Sequence, residues 1–359
     1  MAFCCRKIVL SFVSICLMLI LSGCWDSHDI NLRTMPIIVG VAKGKSYAYD
    51  FTLQIPIPAE KALSIKTISQ EANSFSEAVD ILRINIENYI DLLDVDMLVF
   101  HESVAREGLE AEFNNAIRTR DLPPRALVAI TDANMKELFT NTNNAVQADV
   151  TTFFKFSNKA AGWTPKTAKI RLWEAYESTK SYTEDVMIPI IRPGRETVLT
   201  FPGAAVMTKG KMVARLGSEE TMFANIISNR YQGAAIEVLK SANMTILSAK
   251  VKWKARITND GPALDGKLLV KAAITESKGE YSESELIKEL ESYMTERLNL
   301  LTAKLQRYRS DPLGFGNHFR GKLPIEKLKR WRTDYYPKLK VNYKVKVVIN
   351  NFGNLEQEE

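Results

Sequence analysis

The 359-residue chain has few residues able to do chemistry, and their spacing excludes most of what they could do. Its three histidines, His28, His101 and His318, lie far apart. No cluster of His, Cys and Asp has metal-ligand spacing, so a metal site is not expected. The G-x-S-x-G turn that would present a nucleophilic serine is absent. Gly44-Lys45-Ser46 matches the end of a phosphate-binding loop, where backbone amides and a lysine cradle a phosphate. Only three residues separate Gly40 from Gly44, however, and the residues after Ser46 read as a strand where a phosphate loop needs a helix. Carboxylates are common, yet no pair is singled out by its context. The expectation is a chain with no catalytic residue, no cofactor and no metal.

The reactive side chain with a clear context is Cys24. Arg6 and Lys7 precede an apolar run from Ile8 to Leu21, which ends in Ser22 and Gly23. A charged start, an apolar stretch and small residues at its end make a secretory signal. The run falls short of the roughly 20 residues that a membrane span needs. Leu21-Ser22-Gly23-Cys24 resembles the bacterial lipobox, in which a diacylglycerol alkylates the cysteine sulfur and the chain is cut before it. That chemistry needs a nucleophilic thiol and small neighbours. The expected signal peptide is residues 1–23, with cleavage between Gly23 and Cys24 and lipid on Cys24. The competing reading is an uncleaved anchor in which Cys24 is incidental. Cys4, Cys5 and Cys16 lie in the removed segment, so the processed chain keeps no thiol for a disulfide, a metal or catalysis. Two acyl chains hold a protein stably on a membrane. Loss of Arg6 and Lys7 takes the net charge from +6 to +4, which does not call for a nucleic-acid partner.

The remaining residues read as an α+β protein of several mixed sheets with packed helices. Residues 24–200 form an N-terminal α/β domain, which could itself divide into two subdomains, and residues 201–359 a C-terminal α+β domain. Met35–Ala42 and Tyr47–Ile55 read as strands. Ser74-Phe-Ser-Glu77 is a capping box opening a helix over residues 75–89. Short buried strands at Asp96–Phe100 and Arg125–Ile130, with a helix over Ser103–Arg118 between them, suggest a βαβ unit. A further helix is expected over Thr167–Ser178. The Pro/Gly-rich stretch from Arg192 to Gly203 marks the domain boundary. A hairpin runs from Ala204 to Leu216, turning at Lys209-Gly210. Strands are expected over Met244–Ile257 and Lys267–Ile274, joined by a loop at Asn259–Gly266. Ser282 and Glu285 open a long amphipathic helix, about residues 283–309. Leu286, Leu290, Met294, Leu298, Leu301 and Leu305 lie on one of its faces, set against an antiparallel sheet. Lys340–Asn350 alternates as a last strand.

Two stretches carry a family resemblance. Gly23–Val41 places Cys24, Trp25, Asp26, Ile30 and Asn31 ahead of a strand, and Asp311–Pro324 contains Asp-x-x-Gly-Phe-Gly. Together they resemble the Ger(x)C lipoproteins, the C subunits of spore germination receptors, and the likeness spans essentially the whole processed chain. The resemblance implies a lipid-anchored, non-catalytic subunit on the outer face of the spore inner membrane. It would act beside membrane-embedded A and B subunits, one of which binds the nutrient. The alternative is a solute-binding lipoprotein of a transport system, disfavoured because the second half lacks the alternating strands and helices of a second lobe. Trp25 and Asp26 would rest at the headgroups or dock a partner. Asp311, Gly314, Phe315, Gly316 and Trp331 are candidate contacts to a partner or the membrane. The competing reading of Gly314-Phe315-Gly316 is a helix-terminating turn with Phe315 in the core. Residues 321–346 carry nine Lys/Arg and two acids, either a solvated face or an attraction to an anionic surface.

Overall fold

The structure is a computed structural model describing residues 33–57, 64–119, 122–148, 165–195, 197–229, 234–236, 242–277 and 281–352. Cys24, Trp25, Asp26 and His28 lie outside the described residues, as do the expected signal peptide and its cleavage site.

The chain runs through β1 (Arg33–Thr34), β2 (Ile38–Lys43), β3 (Tyr49–Ile57), β4 (Ser64–Ala72), α1 (Phe75–Asn85), β5 (Tyr89–Ile90) and β6 (Met97–His101). It continues with α2 (Glu102–Glu107), α3 (Glu110–Thr119), β7 (Leu127–Thr131), α4 (Met135–Ala148), α5 (Leu172–Lys180), β8 (Met187–Pro193), β9 (Leu199–Thr208) and β10 (Lys211–Gly217). The second half holds α6 (Ser218–Ile227), β11 (Ala234–Ile236), β12 (Ala242–Thr258), β13 (Gly261–Ser277), α7 (Glu283–Arg307), α8 (Ile325–Lys329) and β14 (Lys340–Phe352).

The larger sheet has eight strands in the order β10-β9-β8-β7-β6-β2-β3-β4. Its centre, β2-β6-β7-β8, is parallel, and antiparallel pairs close both sides. The parallel strands read as unbroken apolar runs because helices cover both faces. Val39, Val41, Leu98, Phe100, Val128 and Ile130 face α1, α2, α3 and α5, while Ile38, Met97, Val99 and Ala129 face α4. Gly40 permits that second contact: a Cβ there would stand 2.7 Å from Met135 Sδ and 2.8 Å from Phe139 Cε2. The expected βαβ unit is present as β6, α2–α3 and β7, with β6 and β7 parallel.

Several boundaries differ from the sequence reading. The helix expected over 103–118 breaks at Gly108 (φ +132), and Leu109 N–H donates to Gly210 O at 2.8 Å. The helix expected over 167–178 begins at Leu172, because the preceding residues extend and Val128 N–H donates to Ile170 O. Of the capping box expected at Ser74 one half forms, Glu77 N–H donating to Ser74 Oγ at 3.2 Å, while the Glu77 carboxylate accepts from Asn73 N–H at 2.9 Å, and α1 ends at Asn85.

The smaller sheet, β11-β12-β13-β14, is not wholly antiparallel: β13 and β14 pair in parallel. The 25-residue α7 carries the chain back along the sheet between them, and parallel neighbours need such a crossover. The loop expected at Asn259–Gly266 is a tight turn, and β13 already starts at Gly261. Gly266 reads as a loop residue but lies within the strand under Trp253, whose Cζ3 would be 2.4 Å from any Cβ. The buried stripe of α7 is Leu286, Leu290, Met294, Leu298, Leu301, Thr302 and Leu305.

The hairpin β9–β10 joins the halves. It extends the large sheet from β8, and Ala205, Met207 and Met212 enter the N-terminal core. Ala204, Val206, Ala214 and Leu216 point the other way, into the core of α6, α7 and the small sheet. Sheet pairing therefore runs across residue 200.

Candidate functional site

The Asp311–Gly316 segment begins where α7 ends. Arg309 takes a left-handed conformation (φ +53), and Ser310 N–H returns to Leu305 O at 3.2 Å. A left-handed residue ending a helix in this way satisfies its last carbonyls. Ser310 is fully buried and its hydroxyl donates to Met207 O at 2.7 Å, fixing the end of α7 to β9.

The Asp311 carboxylate then holds the start of a short 3₁₀ helix, Phe315–Phe319, whose N-cap is Gly314. Its Oδ1 accepts from Phe315 N–H at 3.0 Å, and its Oδ2 from Gly316 N–H at 2.8 Å and Trp331 Nε1 at 2.9 Å. Gly314 supplies the positive φ (+67) that the turn requires. Gly316 permits the close approach: a Cβ would lie 2.7 Å from both Thr183 O and Trp331 Nε1. Phe315 and Trp331 are fully buried, Phe315 against Trp253 and Trp331 against Phe319.

The second carboxylate of the junction is Asp185, just before β8. Asp311 N–H donates to its Oδ2 at 2.9 Å, and Asp185 N–H donates to Asp311 O at 2.9 Å. Arg332 grips Asp185 with both arms, Nε to Oδ2 and Nη2 to Oδ1, each 2.8 Å. Its other contacts are the carbonyls of Ser181, Tyr182 and Glu184. Thr183 Oγ1 donates to Asn317 Oδ1, and Asn317 Nδ2 to Glu184 Oε2. Burial pushes the Asp311 carboxyl up to about 7; its three N–H donors pull it back, and the neighbouring Asp185 charge adds to the rise.

Asp311, Gly314, Phe315, Gly316 and Trp331 are therefore brought together, but inside the molecule. They make a helix-terminating turn with Phe315 in the core, which was the competing reading. Their side chains face the chain's own residues, so an outward contact to a partner or a membrane does not follow from their place in the fold. Asp185 and Arg332 were missed. The only signal for Arg332 was its position beside Trp331 in a basic stretch, and it is the one of the nine basic residues there that is buried.

The chemistry-bearing residues are otherwise engaged. The amides of Lys45 and Ser46 donate to the Glu71 carboxylate at 3.0 and 2.9 Å, so the Gly-Lys-Ser loop already holds an anion of its own. His101 caps α2 and lies 2.7 Å from Ser103 Oγ; burial pushes its pKa down. Burial likewise lowers His318, beside Trp253. In open α/β sheets ligands gather at the carboxyl ends of the parallel strands. That place is taken here by Asp132, which binds both Arg192 (2.7 and 2.6 Å) and Arg215 (2.7 Å), and by Glu102, paired with Arg215 and Arg106. Among the described residues no group of three or more His, Cys, Asp or Glu could hold a metal, and no helix is long and apolar enough to cross a membrane.

Two family models match the chain. The model for the spore germination protein N-terminal domain matches residues 26–193, and the one described as spore germination B3/GerAC like, C-terminal, matches residues 202–353. The chain belongs to the Ger(x)C family of spore germination proteins. Ger(x)C proteins are not enzymes, in agreement with the absence of a catalytic motif from the sequence. Three Bacillus subtilis (strain 168) proteins are similar along nearly their whole length. Spore germination protein KC is 20% identical, over 97% of this chain and 96% of its own; protein B3 is 22% identical, over 94% and 96%. Protein A3 is 24% identical, over 93% and 95%. The crystal structure of the GerBC protein shares the fold, with a TM-score of 0.59 at 20% identity, covering 87% of this chain and 97% of that one.

Proposed function

We propose that this Ger(x)C protein is the lipid-anchored, non-catalytic C subunit of a nutrient receptor on the spore inner membrane, required for nutrient-triggered germination. The observation that carries the reading is the match of both family models in one chain, directly behind a Leu-Ser-Gly-Cys sequence. Residues 1–23 direct export, Cys24 takes the diacylglyceryl group, and the protein sits on the outer face of the membrane beside the A and B subunits. The nutrient binds a partner subunit. Trp25 and Asp26, next to the lipid, contact headgroups or the partners.

The experiment is deletion of the gene, followed by complementation with the natural chain or Cys24→Ala. Deletion spores should fail to respond to one class among amino acids, sugars and nucleosides while responding normally to a non-nutrient trigger. Cys24→Ala should leave a folded protein that no longer fractionates with membrane and does not restore the response. Full germination with Cys24→Ala protein in the soluble fraction would overturn the anchor. Normal germination of the deletion strain in a background lacking sister receptors would overturn the receptor assignment.

A further inference from the structure

The N-terminal half contains a cavity of about 220 Å³ between the large sheet and the helices α1 and α3. Its floor is apolar: Val41, Phe51, Leu98 and Phe100 are each at most 4% exposed. Its rim is polar and open to water at Asn73 and Asn115. Protein interiors leave few voids larger than a water molecule. An apolar cavity of roughly 150 Å³ takes up benzene, so this one holds a ring-sized molecule with room for a substituent.

One charged group among the described residues lines the cavity. Glu112, on α3, accepts a hydrogen bond at Oε1 from the Tyr49 hydroxyl. Its Oε2 is buried and has no hydrogen-bond partner among the described residues. Burial, then Glu112 itself, pushes the Tyr49 phenol up to about 12, so Tyr49 remains a donor to Oε1. No lysine or arginine among the described residues lines the space to neutralise the carboxylate. An unpartnered buried carboxylate oxygen is costly. A ligand that brought a cation to it and hydrocarbon to the floor would remove both deficits at once.

We propose that this cavity binds a small cationic amine with an apolar body, its ammonium on Glu112 Oε2 and its hydrocarbon on the sheet. The site is additional to whatever the membrane subunits bind, and it does not depend on the receptor reading. The test uses the full chain in lipid nanodiscs and two probes of the same shape, benzylamine and benzyl alcohol, followed by calorimetry. Benzylamine should bind saturably and about tenfold or more tighter than the alcohol, as expected for a charge-assisted hydrogen bond. Glu112→Gln should abolish that preference. Ala116→Leu, which fills the cavity and leaves Glu112 and Tyr49 in place, should abolish binding of both probes without lowering the melting temperature. Absence of saturable benzylamine binding, equal affinity for the two probes, or a preference unchanged in Glu112→Gln would each overturn the proposal.

Discussion

At the scale of single residues, the junction is a pair of buried carboxylates with different solutions to burial. Asp185 is paired with Arg332, each of whose three guanidinium nitrogens finds an acceptor. Replacing Arg332 with leucine leaves that carboxylate buried and unpaired, which costs about 3–5 kcal/mol; urea denaturation of the variant checks this, and a loss below about 1 kcal/mol would contradict it. Among the described residues Asp311 has no cation of its own, and burial pushes its folded carboxyl up to about 7 from an ordinary 3.8. Between those values the folded chain holds a proton that the unfolded chain has released. Its contribution is therefore complete at acid pH and disappears as pH rises toward and through 7. Urea midpoints of the natural chain and Asp311→Asn should differ in their change between pH 5 and pH 8, the natural chain losing more as pH rises. The variant should also be less stable at pH 5, by about 1–3 kcal/mol, because a carboxamide NH₂ would face an N–H donor. Equal pH dependence would refute the assignment. Asp-x-x-Gly-Phe-Gly stands out in the sequence, but its role does not. Asp311 bonds with Asp185 across 126 positions, and no local pattern announces a contact of that range.

At the scale of elements, legibility follows how much of an element's stability is local. The helix α7 shows in sequence because its cap and its stripe repeat within one segment, and both are found in the structure. Leu298 lies in the middle of that stripe and is fully buried. Leu298→Ala should cost about 2–5 kcal/mol, the range for truncating a buried leucine, with the helix retained. A loss under about 1 kcal/mol would mean that the stripe is not core. The strand β4 went unread, because among Lys66, Thr67, Ser69, Gln70 and Glu71 it carries only Ile65, Ile68 and Ala72, and Ile65 enters the core on the opposite face from the other two, so no alternation marks one inner face. The direction of β14 is equally silent: alternation tells that one face is wet, not which way the partner strand runs. Gly266 misled for a further reason, since its missing side chain makes room for Trp253 on the neighbouring strand. Gly266→Val should thus destabilise by about 1–3 kcal/mol through overpacking, measured in the same urea series. A neutral effect would show that the ring moves freely.

At the scale of the molecule, two family models meet between residues 193 and 202, yet the structure is continuous there. β8 and β9 pair across that gap, the hairpin β9–β10 lends one face to each core, and the Asp185–Asp311–Arg332 contacts clamp the end of α7 to the start of β8. Opening one half exposes the inner face of a hairpin on which the other half rests. The halves should therefore unfold as one cooperative unit, although a sequence boundary suggests two. Native-state hydrogen exchange separates these cases, because residues that open together share one opening free energy. Amides of β7 in the first half and of β13 in the second should exchange with the same free energy. In Arg332→Leu both should fall by equal amounts, since the lost ion pair belongs to neither half alone. If β13 loses protection while β7 keeps it, the clamp stabilises only the C-terminal core, and residues 24–200 stand as an independent domain.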